Sequence, residues 1–458
     1  MKGFVIAGTG TGVGKTTITA ALLAALRARG LTVQPFKCGP DYIDPAHHTA
    51  LAGRPSYNLD TWMMPAETNR RIFRHAMCAA DVAVVEGVMG LFDGVNGTSD
   101  EGSTAQIAKL LSLPVVLVVD ASSVARSVAA VVMGFRDFDP QVRIAGVILN
   151  GAAGEPHVNL LREAIAPVGV PVLGWFPRLP ELGLRERHLG LVTAGEETWN
   201  PEQVGKLISA AEAHIAIDRL LASSEIPDGE APAPVLSEKF REQNPVLIGV
   251  AKDRAFSFYY ESSLDALRAA GAELVEVSPT GDTSLPPSLD GLYLGGGYPE
   301  VYAEELSRNH RFLKSIRDFV TSGRPVYAEC GGLMYLAEEL KTLDGISHPM
   351  ASILPLAIEM LDRLDGFGYT EVELLEDCLV GARGAHLRGH SFHYSRVTRA
   401  GEISRRYRSR RSLGKSEERE GFSAGNVLAS YIHLSFAANP EAAAMFVQQC
   451  RHAKAVAQ

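Results

Sequence analysis

A lysine and a threonine directly follow a glycine-rich stretch near the amino terminus, as in phosphate-binding loops. The stretch begins at Gly8 and reads GTGTGVGKTT. Glycines let backbone N–H groups close around phosphate oxygens, the lysine reaches the outer phosphates, and the threonine hydroxyl binds Mg²⁺. The strict pattern has a glycine at position 9, where this chain has threonine, and a glycine-rich turn without a ligand is the alternative. We predict that the nucleotide is bound by Thr11, Gly12, Gly14, Lys15, Thr16 and Thr17.

A carboxylate follows another apolar run of the same region. Glu86 ends the predicted strand 81–86. A carboxylate at the tip of a buried strand beside a phosphate-binding loop is the usual second anchor for Mg²⁺, either directly or through water. We therefore predict that Thr16 and Glu86 hold the metal; a simple turn after the strand is the alternative.

A lysine and two aspartates follow the predicted strand 32–36. Lys37, Asp41 and Asp44 would lie at the carboxyl end of that strand, which is where parallel sheets bind their ligands. A turn with solvated charges is the alternative for these three residues. Asn150 also ends a predicted strand, where its amide could bind a nucleotide base, although a structural role fits the sequence equally well.

Cys330 lies between an apolar strand and a predicted helix, at a sharp turn that contains glycines. The segment reads VYAECGGLMYL, with the strand at 326–329. Such a turn exposes the side chain at the edge of the sheet, and the helix amino terminus favours a thiolate. We predict that Cys330 is a nucleophile. The alternative, a buried structural cysteine, is the interpretation that we favour for Cys38, Cys78, Cys378 and Cys450.

A reactive cysteine needs a general base, and His433 on the predicted strand 426–435 is the best-placed histidine of the second half. The sequence leaves open whether His390 and His393 are structural or face the substrate. Backbone N–H groups beside the cysteine could form an oxyanion hole. We predict that this hole consists of Gly296, Gly297 and Gly331.

The elements that must position these residues predict two α/β domains. The first, residues 1–222, alternates strands with helices, which is typical of a parallel sheet with helices on both faces. Its first helix is predicted from Lys15 to about Arg29, and Arg126 is expected on a later helix. Its further strands are predicted at 114–120, 144–150 and 171–175, and its last helical stretch at 201–221.

Residues 223–245 are rich in proline, serine and charge and are predicted to be a linker. The second domain would span residues 246–458. We predict that it begins with strands at 246–251, 273–277 and 291–294, continues with antiparallel strands at 370–375, 392–398 and 426–435, and ends in a helix from Asn439 and Pro440.

Composition limits the class of protein. The chain has 44 Lys and Arg against 53 Asp and Glu, a net charge of −9, which argues against nucleic acid as a partner. We see no apolar run of about 18 residues and no signal peptide, so we expect no membrane span. Five scattered cysteines favour a reduced, cytoplasmic enzyme, with a homodimer among the possible assemblies. The arginine-rich segment 399–420 also carries glutamates, which favours a solvated hairpin loop.

The two halves predict one combined reaction. A thiolate that attacks the side-chain amide of glutamine releases ammonia and leaves a thioester for water to hydrolyse. Ammonia then needs an electrophile, and a carboxylate phosphorylated by ATP is the obvious one. The sequence therefore predicts a glutamine-dependent, ATP-driven amide ligase that acts on small molecules.

Segments in order along nearly the whole chain resemble the cobyrinate a,c-diamide synthase family of cobalamin biosynthesis. They include GTGTGVGKTT, PDYIDP, EGVMGLFDG, RHLGLVTA, LGGGYPE, YAECGGLMYL and GHSFHYS. The resemblance implies a dethiobiotin synthetase-like domain followed by a flavodoxin-like class I glutaminase domain. It implies that ATP and Mg²⁺ support amidation of the a- and c-acetate carboxylates of a corrin ring, with Cys330 as nucleophile and His433 as its base. It also implies a carboxylate-activating site lined by Lys37, Asp41, Asp44 and Asp93.

The chain departs from the family patterns at three positions. Class I glutaminases usually carry His-x-Glu, in which the glutamate orients the histidine, whereas Ser435 stands here. Family members tend to read GHEFHYS, where this chain has Ser391, and an arginine is common where this chain has Gly151. The sequence therefore does not identify a third catalytic residue beside Cys330 and His433.

Other functions stay open at this point. Hydrogenobyrinate and nickel-sirohydrochlorin are alternative substrates of the same reaction. A P-loop switch ATPase with a non-catalytic partner-binding module is an alternative from another class, and so is a metabolite-binding regulator without activity. Cys330 at the turn and His433 argue against the switch ATPase. The intact set of reactive residues argues against the inactive regulator: Lys15, Thr16, Glu86, Cys330 and His433.

Overall fold

Short apolar runs in the first half of the chain form one parallel sheet. The computed structural model describes residues 1–177, 199–226, 245–412 and 417–457. The strands of this sheet are β1 (Lys2–Gly8), β2 (Val33–Cys38), β3 (Tyr57–Leu59), β4 (Val82–Glu86), β5 (Val115–Asp120), β6 (Ile144–Asn150) and β7 (Val172–Phe176). Their order is β3-β2-β4-β1-β5-β6-β7, and all neighbours are parallel. The loop after central β1 therefore leaves the sheet between the ends of β4 and β5.

Helices connect these strands. They are α1 (Lys15–Ala28), α2 (Ile43–Ala52), α3 (Ala66–Ala76), α4 (Thr104–Leu110), α5 (Val128–Phe138), α6 (Glu155–Ile165), α7 (Pro201–His214) and α8 (Ile217–Ala222). The apolar side of α1 packs in one core with β1, because Ile18 and Leu22 are fully buried beside Phe4 and Ile6. A capping box formed by Asn200 and Gln203 starts α7.

The last described residues of the first unit, 224–226, are hydrogen-bonded to the start of the chain at β1. The chain divides into two compact units, Met1–Val235 and Leu236–Gln458. Ser224 lies in the predicted linker, but its carbonyl accepts a hydrogen bond from Gly3 N at 2.8 Å, and Ile226 N donates to Met1 O at 3.1 Å. The rest of that linker, 227–244, and the RHLGLVTA segment lie outside the described residues.

The second unit carries more strands than the sequence predicts. They are β8 (Val246–Ala251), β9 (Phe256–Phe258), β10 (Ala272–Val277), β11 (Gly291–Leu294), β12 (Gly296–Gly297), β13 (Val326–Glu329), β14 (Glu339–Lys341), β15 (Ser347–Pro349), β16 (Leu356–Met360), β17 (Gly366–Leu374), β18 (His386–His393), β19 (Ser395–Ala400), β20 (Ser404–Arg411), β21 (Glu417–Ala424), β22 (Val427–Ser430) and β23 (His433–Leu434). Its helices are α9 (Glu261–Ala269), α10 (Ala303–Arg308), α11 (His310–Thr321), α12 (Gly331–Leu336) and α13 (Pro440–Ala457).

A ten-stranded sheet organises this unit, in the order β10-β8-β11-β13-β22-β21-β20-β17-β18-β23. The strands from β10 to β22 are parallel, and those from β22 to β23 are antiparallel. A four-stranded sheet, β15-β14-β16-β19, and the pair β12-β9 complete the strands. The α/β fold predicted from the alternating pattern is confirmed in both units.

Two predicted strands are wrong in their extent because the chain changes partners within them. The predicted strand 392–398 breaks at Tyr394, where β18 of the ten-stranded sheet gives way to β19 of the four-stranded sheet. The predicted strand 426–435 breaks at Tyr431 and Ile432, so that β22 pairs with β13 and β21 whereas β23 pairs with β18. The half-buried Glu420 carboxylate accepts the N–H of Tyr431 there and replaces the strand ladder.

The arginine-rich segment is a pair of strands rather than a loop. Residues 404–411 and 417–424 form β20 and β21, which pair with each other. Its arginines contact glutamates on neighbouring strands, for example Arg408 with Glu373 at 3.0 Å and Arg410 with Glu371 at 2.9 Å. Because side chains alternate between the two faces of a strand, these arginines point to solvent although they lie in a sheet. Their charge was therefore not a sign of a loop.

Arg126 is not on a helix. It lies in a turn in which Val128 N donates to Ala125 O and Ala129 N to Arg126 O, and α5 begins only at Val128. Among the described helices, none combines the length and the apolar character needed to cross a bilayer.

Candidate active sites

The glycine loop after β1 encloses the Lys15 side chain. Gly12 and Gly14 have φ values of 76° and 97°, a region that side chains disfavour. Lys15 Nζ donates to Gly10 O at 3.0 Å and to Met89 O at 2.5 Å, and thus ties this loop to the loop after β4. Burial lowers the pKa of Lys15, and the nearby charge of Lys37 lowers it further. The Lys15 amine therefore lies between the glycine loop and the loop after β4.

Asn150 supports this loop from the end of β6. Its Nδ2 donates to Val13 O at 2.9 Å. A Cβ on Gly14 would lie 2.1 Å from the same nitrogen, so only glycine fits there. Thr11 is exposed on the loop, and Thr17 is half-buried in the first turn of α1.

Glu86, at the tip of β4, is the centre of the charged cluster in the first unit. It is fully buried, and its Oε1 accepts from Thr16 Oγ1 at 2.7 Å and from Lys37 Nζ at 2.9 Å. Its Oε2 lies 2.7 Å from His48 Nε2. Burial alone would raise the pKa of Glu86, but Lys37 and the bond to His48 lower it below its usual range. Thr16 and Glu86 thus form a pair of oxygens that can bind one cation.

Lys37 is surrounded by carboxylates. It contacts Asp44 closely and lies 3.8 Å from Asp41, in addition to its bond with Glu86. Burial alone would lower the pKa of Lys37, but these carboxylates raise it well above its usual value. Burial, and then the charge of Glu86, raises the pKa of Asp44. The sequence-predicted residues Lys37, Asp41 and Asp44 therefore form one cluster around Glu86.

Asp93 has a different local partner from the other predicted carboxylates. Its Oδ2 accepts from Gly90 N at 2.8 Å and closes the turn after Met89. Its charge is among the nearby carboxylates that favour the protonated form of Lys15. Sequence reasoning missed His48, although a histidine four residues after Asp44 on the same helix was an available signal.

Cys330 occupies a strained turn between β13 and α12. Its φ and ψ are 47° and −101°, values that a residue with a Cβ rarely adopts. Its N–H donates to Ser430 O at 2.7 Å, which holds the turn against β22. A Cβ on Gly332 would lie 2.2 Å from Leu294 O, so the chain after the cysteine passes directly over β11. This is the geometry of a nucleophile elbow.

His433 lies beside Cys330 and is almost fully buried. Burial alone would lower the pKa of His433, but a hydrogen bond with the Cys330 thiol and the Glu329 carboxylate raise that pKa to about 9. His433 Nδ1 is 3.6 Å from Glu329 Oε2. The structure thus brings Cys330 and His433 together from segments about a hundred residues apart in sequence.

The three glycines predicted for the oxyanion hole lie around this pair. A Cβ on Gly296 would lie 2.6 Å from His433 Cε1, and a Cβ on Gly331 would lie 3.1 Å from Gly297 N. The Ser435 side chain is used differently: its Oγ accepts a hydrogen bond from Ala438 N at 3.2 Å, just before α13. Position 435 therefore does not supply the residue that orients the histidine.

The other cysteines differ from Cys330. Burial raises the pKa of Cys38 to about 12, and it also raises the pKa of Cys378 and Cys450. The expectation that all four are buried is wrong for Cys78, which is exposed in the turn after α3, and for Cys378, which is only half-buried. All five cysteines are free thiols.

Two family models match the chain, one in each half. A CobQ/CobB/MinD/ParA nucleotide binding domain matches residues 4–191, and a CobB/CobQ-like glutamine amidotransferase domain matches residues 247–441. The class defined by fold and site is therefore a nucleotide-binding domain joined in one chain to a glutamine amidotransferase domain.

Curated relatives narrow this class. The cobyrinate a,c-diamide synthases of Dehalococcoides mccartyi (strain CBDB1) and Syntrophotalea carbinolica are 43% and 44% identical to this chain. The first alignment covers 97% of each chain and the second covers 98% of each. The enzyme of that name from Salmonella typhimurium is 43% identical over 96% of each chain. The chain belongs to the cobyrinate a,c-diamide synthase family, and the resemblance predicted from its motifs is confirmed.

Proposed function

We propose that this protein uses glutamine and ATP to amidate the a- and c-acetate carboxylates of cobyrinic acid. The observation that carries the proposal is the presence, in one chain of this family, of two sites with complementary chemistry. One is the cluster of Lys15, Thr16 and Glu86 at a phosphate-binding loop, and the other is the Cys330–His433 pair at a strained turn.

In the second unit, Cys330 gives its thiol proton to His433, and the thiolate attacks the amide carbon of glutamine. His433 then protonates the leaving nitrogen, which departs as ammonia and leaves a thioester on Cys330. Water hydrolyses the thioester to glutamate, and its proton restores the pair. N–H groups of Gly296, Gly297 and Gly331 would bind the oxyanion.

In the first unit, Lys15 and the glycine loop bind the phosphates of ATP, with Thr11, Gly12, Gly14 and Thr17 along the same backbone. Thr16 and Glu86 fit a magnesium ion, since their oxygens lie 2.7 Å apart at the end of the loop. When bound, Mg²⁺ neutralises phosphate charge.

The substrate carboxylate would bind near Lys37, whose acidic neighbours include Asp41 and Asp44. Asp93, whose charge acts on Lys15, would line the same site. Phosphorylation of that carboxylate gives an acyl phosphate. Ammonia displaces the phosphate and forms the amide. Asn150 would contact the nucleotide base through its Oδ1 or through the second N–H of its Nδ2, because the first N–H is bonded to Val13 O.

We also propose that the enzyme is cytoplasmic, which its five free cysteines favour, and that it binds small molecules rather than nucleic acid, which its net charge of −9 favours. A homodimer is one possible assembly.

The test combines purified protein with ATP, Mg²⁺, glutamine and cobyrinic acid, and follows product mass. We expect two successive amidations. Cys330→Ala should lose glutamine use but keep amidation with free ammonia, because the first unit is untouched. Hydrolysis of glutamine without amidation of cobyrinic acid would move the proposal to hydrogenobyrinic acid or nickel-sirohydrochlorin. If neither glutamine nor ATP turned over with any of these substrates, the amide-ligase proposal would fail. A P-loop switch ATPase that needs its own partner for turnover would then be the next hypothesis.

A further inference from the structure

A buried carboxylate directly precedes the nucleophile and has no part in the reaction as written so far. Glu329 is the last residue of β13, and its side chain is 2% exposed. Buried carboxylates are retained only where donors compensate for their lost hydration. The partners of Glu329 therefore indicate what the group does.

Four groups surround the Glu329 carboxylate. Oε1 accepts from Tyr327 Oη at 2.7 Å and from Leu434 N at 2.9 Å. Oε2 accepts from Tyr293 Oη at 2.7 Å and lies 3.6 Å from His433 Nδ1. The two tyrosines come from β13 and β11, and the other two groups from β23. The carboxylate is thus fixed on the parallel part of the sheet and faces the strand that carries the histidine.

This arrangement fixes the backbone next to His433 and places a carboxylate oxygen 3.6 Å from its ring. One carboxylate oxygen binds the backbone N–H of the next residue, Leu434, and the other faces the imidazole ring. The strand β23 has only two residues and lies at the edge of the sheet, so it gains little order from its own ladder. Glu329 supplies the missing constraint and a negative charge beside one ring nitrogen.

The ionisable neighbours of His433 favour the same assignment. The ionisable groups that face it are Cys330 from the elbow, Glu329 from β13, and His390 and His393 from β18. Burial lowers the pKa of His390 to about 3 and that of His393 to about 4, so both rings are neutral at ordinary pH. Glu329 is then the negative group that can stabilise a protonated His433 once Cys330 has given up its proton.

We propose that Glu329 is the residue that positions and charges His433 in the glutaminase site, in place of the glutamate that other class I glutaminases carry two residues after the histidine. The inference rests on the assignment of Cys330 and His433 above. In this scheme the proton moves only between the thiol, His433 and the leaving nitrogen.

The test is Glu329→Gln in the full-length protein, with glutamine hydrolysis measured from about pH 6 to pH 10. We expect kcat for glutamine to fall by up to about 10⁴-fold, as when the orienting aspartate of a Ser-His-Asp triad is replaced by asparagine. The alkaline limb of kcat/KM, which reports loss of the His433 proton, should move to lower pH because the stabilising charge is gone. Amidation with free ammonia should be retained.

Two control variants separate positioning from packing. Tyr327→Phe removes one donor but leaves the charge, and Ser435→Ala alters the position used by other glutaminases. Both should keep the alkaline limb of the wild type. An alkaline limb unchanged in Glu329→Gln, or shifted in Ser435→Ala, would overturn the inference.

Two further variants keep the inference falsifiable. If Glu329→Gln does not fold, Glu329→Asp keeps the charge but withdraws it by one methylene, and a wild-type kcat in that variant would overturn the inference. Cys330→Ala tests the underlying assignment separately. If it still hydrolyses glutamine, the assigned site is wrong; if it is inactive while Glu329→Gln behaves as wild type, only the role of Glu329 is wrong.

Discussion

Charged side chains in both sites act in groups rather than singly. Glu86 is ionised in a fully buried place because Lys37, His48 and Thr16 all reach it, and His433 is protonated more readily because Cys330 and Glu329 flank it. Removing one member of such a group leaves the others buried and unpaired, which costs far more than the lost contact itself.

Lys37→Met should show this cost in the first unit. It leaves Glu86 and Asp44 without their shared cation, so we expect the free energy of unfolding to fall by about 3–5 kcal/mol. Amidation with ammonia should also be lost. Asp41→Asn is the matched control, since Asp41 is half-buried and 3.8 Å from Lys37, and should cost less than about 1 kcal/mol. Urea denaturation measures both, and equal losses would contradict the argument.

His433 makes stability depend on pH in a defined direction. The pKa of His433 is about 9 in the folded chain against about 6.5 for an ordinary histidine, so the folded state holds the proton more tightly. Its contribution is complete below about pH 6.5 and is lost as the pH rises through about 9. The stability advantage of the wild type over His433→Gln should therefore shrink by about 3 kcal/mol across this range. Urea denaturation at several pH values would contradict this if the advantage stayed constant.

Elements that form from local patterns were predictable, and pairs that form between distant segments were not. The run Phe4–Ala7 and the following glycines specify β1 and its loop, and the glycines after Cys330 specify the elbow, because all the necessary residues are neighbours in sequence. The contact of Glu329 with His433 joins different strands, so no spacing rule reveals it. The contact of Glu86 with His48 joins β4 to α2, and its one sign in the sequence was the four-residue spacing of His48 from Asp44.

The extents of the two broken strands were predicted wrongly for a related reason. Residues 392–398 carry a continuous strand pattern, but the break at Tyr394 depends on which sheet each half joins. Likewise, β22 and β23 are separated by the Glu420 carboxylate, which comes from a strand earlier in the chain. Periodicity records burial along one strand, whereas pairing partners are set by the whole sheet.

Because α12 passes close to β11, we expect a side chain at position 332 to destabilise the second unit. In Gly332→Ala the new Cβ would lie 2.2 Å from Leu294 O, so a backbone must move. We expect a loss of about 1–3 kcal/mol in the free energy of unfolding and loss of glutamine hydrolysis. Gly384→Ala is the control, because its φ of 83° is strained but its surroundings are open. It should cost about 1 kcal/mol and leave hydrolysis intact.

At the scale of the whole molecule, each unit has its own core and its own reactive cluster. The amide-forming reaction needs both, but each partial reaction needs one. Damage to one site should therefore remove a predictable part of the activity.

Lys15→Met tests this division from the side of the first unit. It should abolish amidation with either glutamine or ammonia, because phosphate binding is lost, while hydrolysis of glutamine continues. It should also remove stabilisation by ATP and Mg²⁺, which is about 2.7 kcal/mol at a ligand concentration 100 times Kd. Thermal unfolding with and without nucleotide measures this, and nucleotide stabilisation of the variant equal to that of the wild type would contradict the assignment of Lys15.

The left-handed backbone at Cys330 affects which residue evolution keeps at this position. A residue with a Cβ in this conformation costs about 1–2 kcal/mol, and glycine would be free of most of that cost. Selection for glutamine use is then what keeps a cysteine there. In a lineage that obtained ammonia from its surroundings, drift would replace the nucleophile with glycine and make the domain more stable as it became inert. Thermal robustness in a relative of this chain could therefore be a mark of lost function.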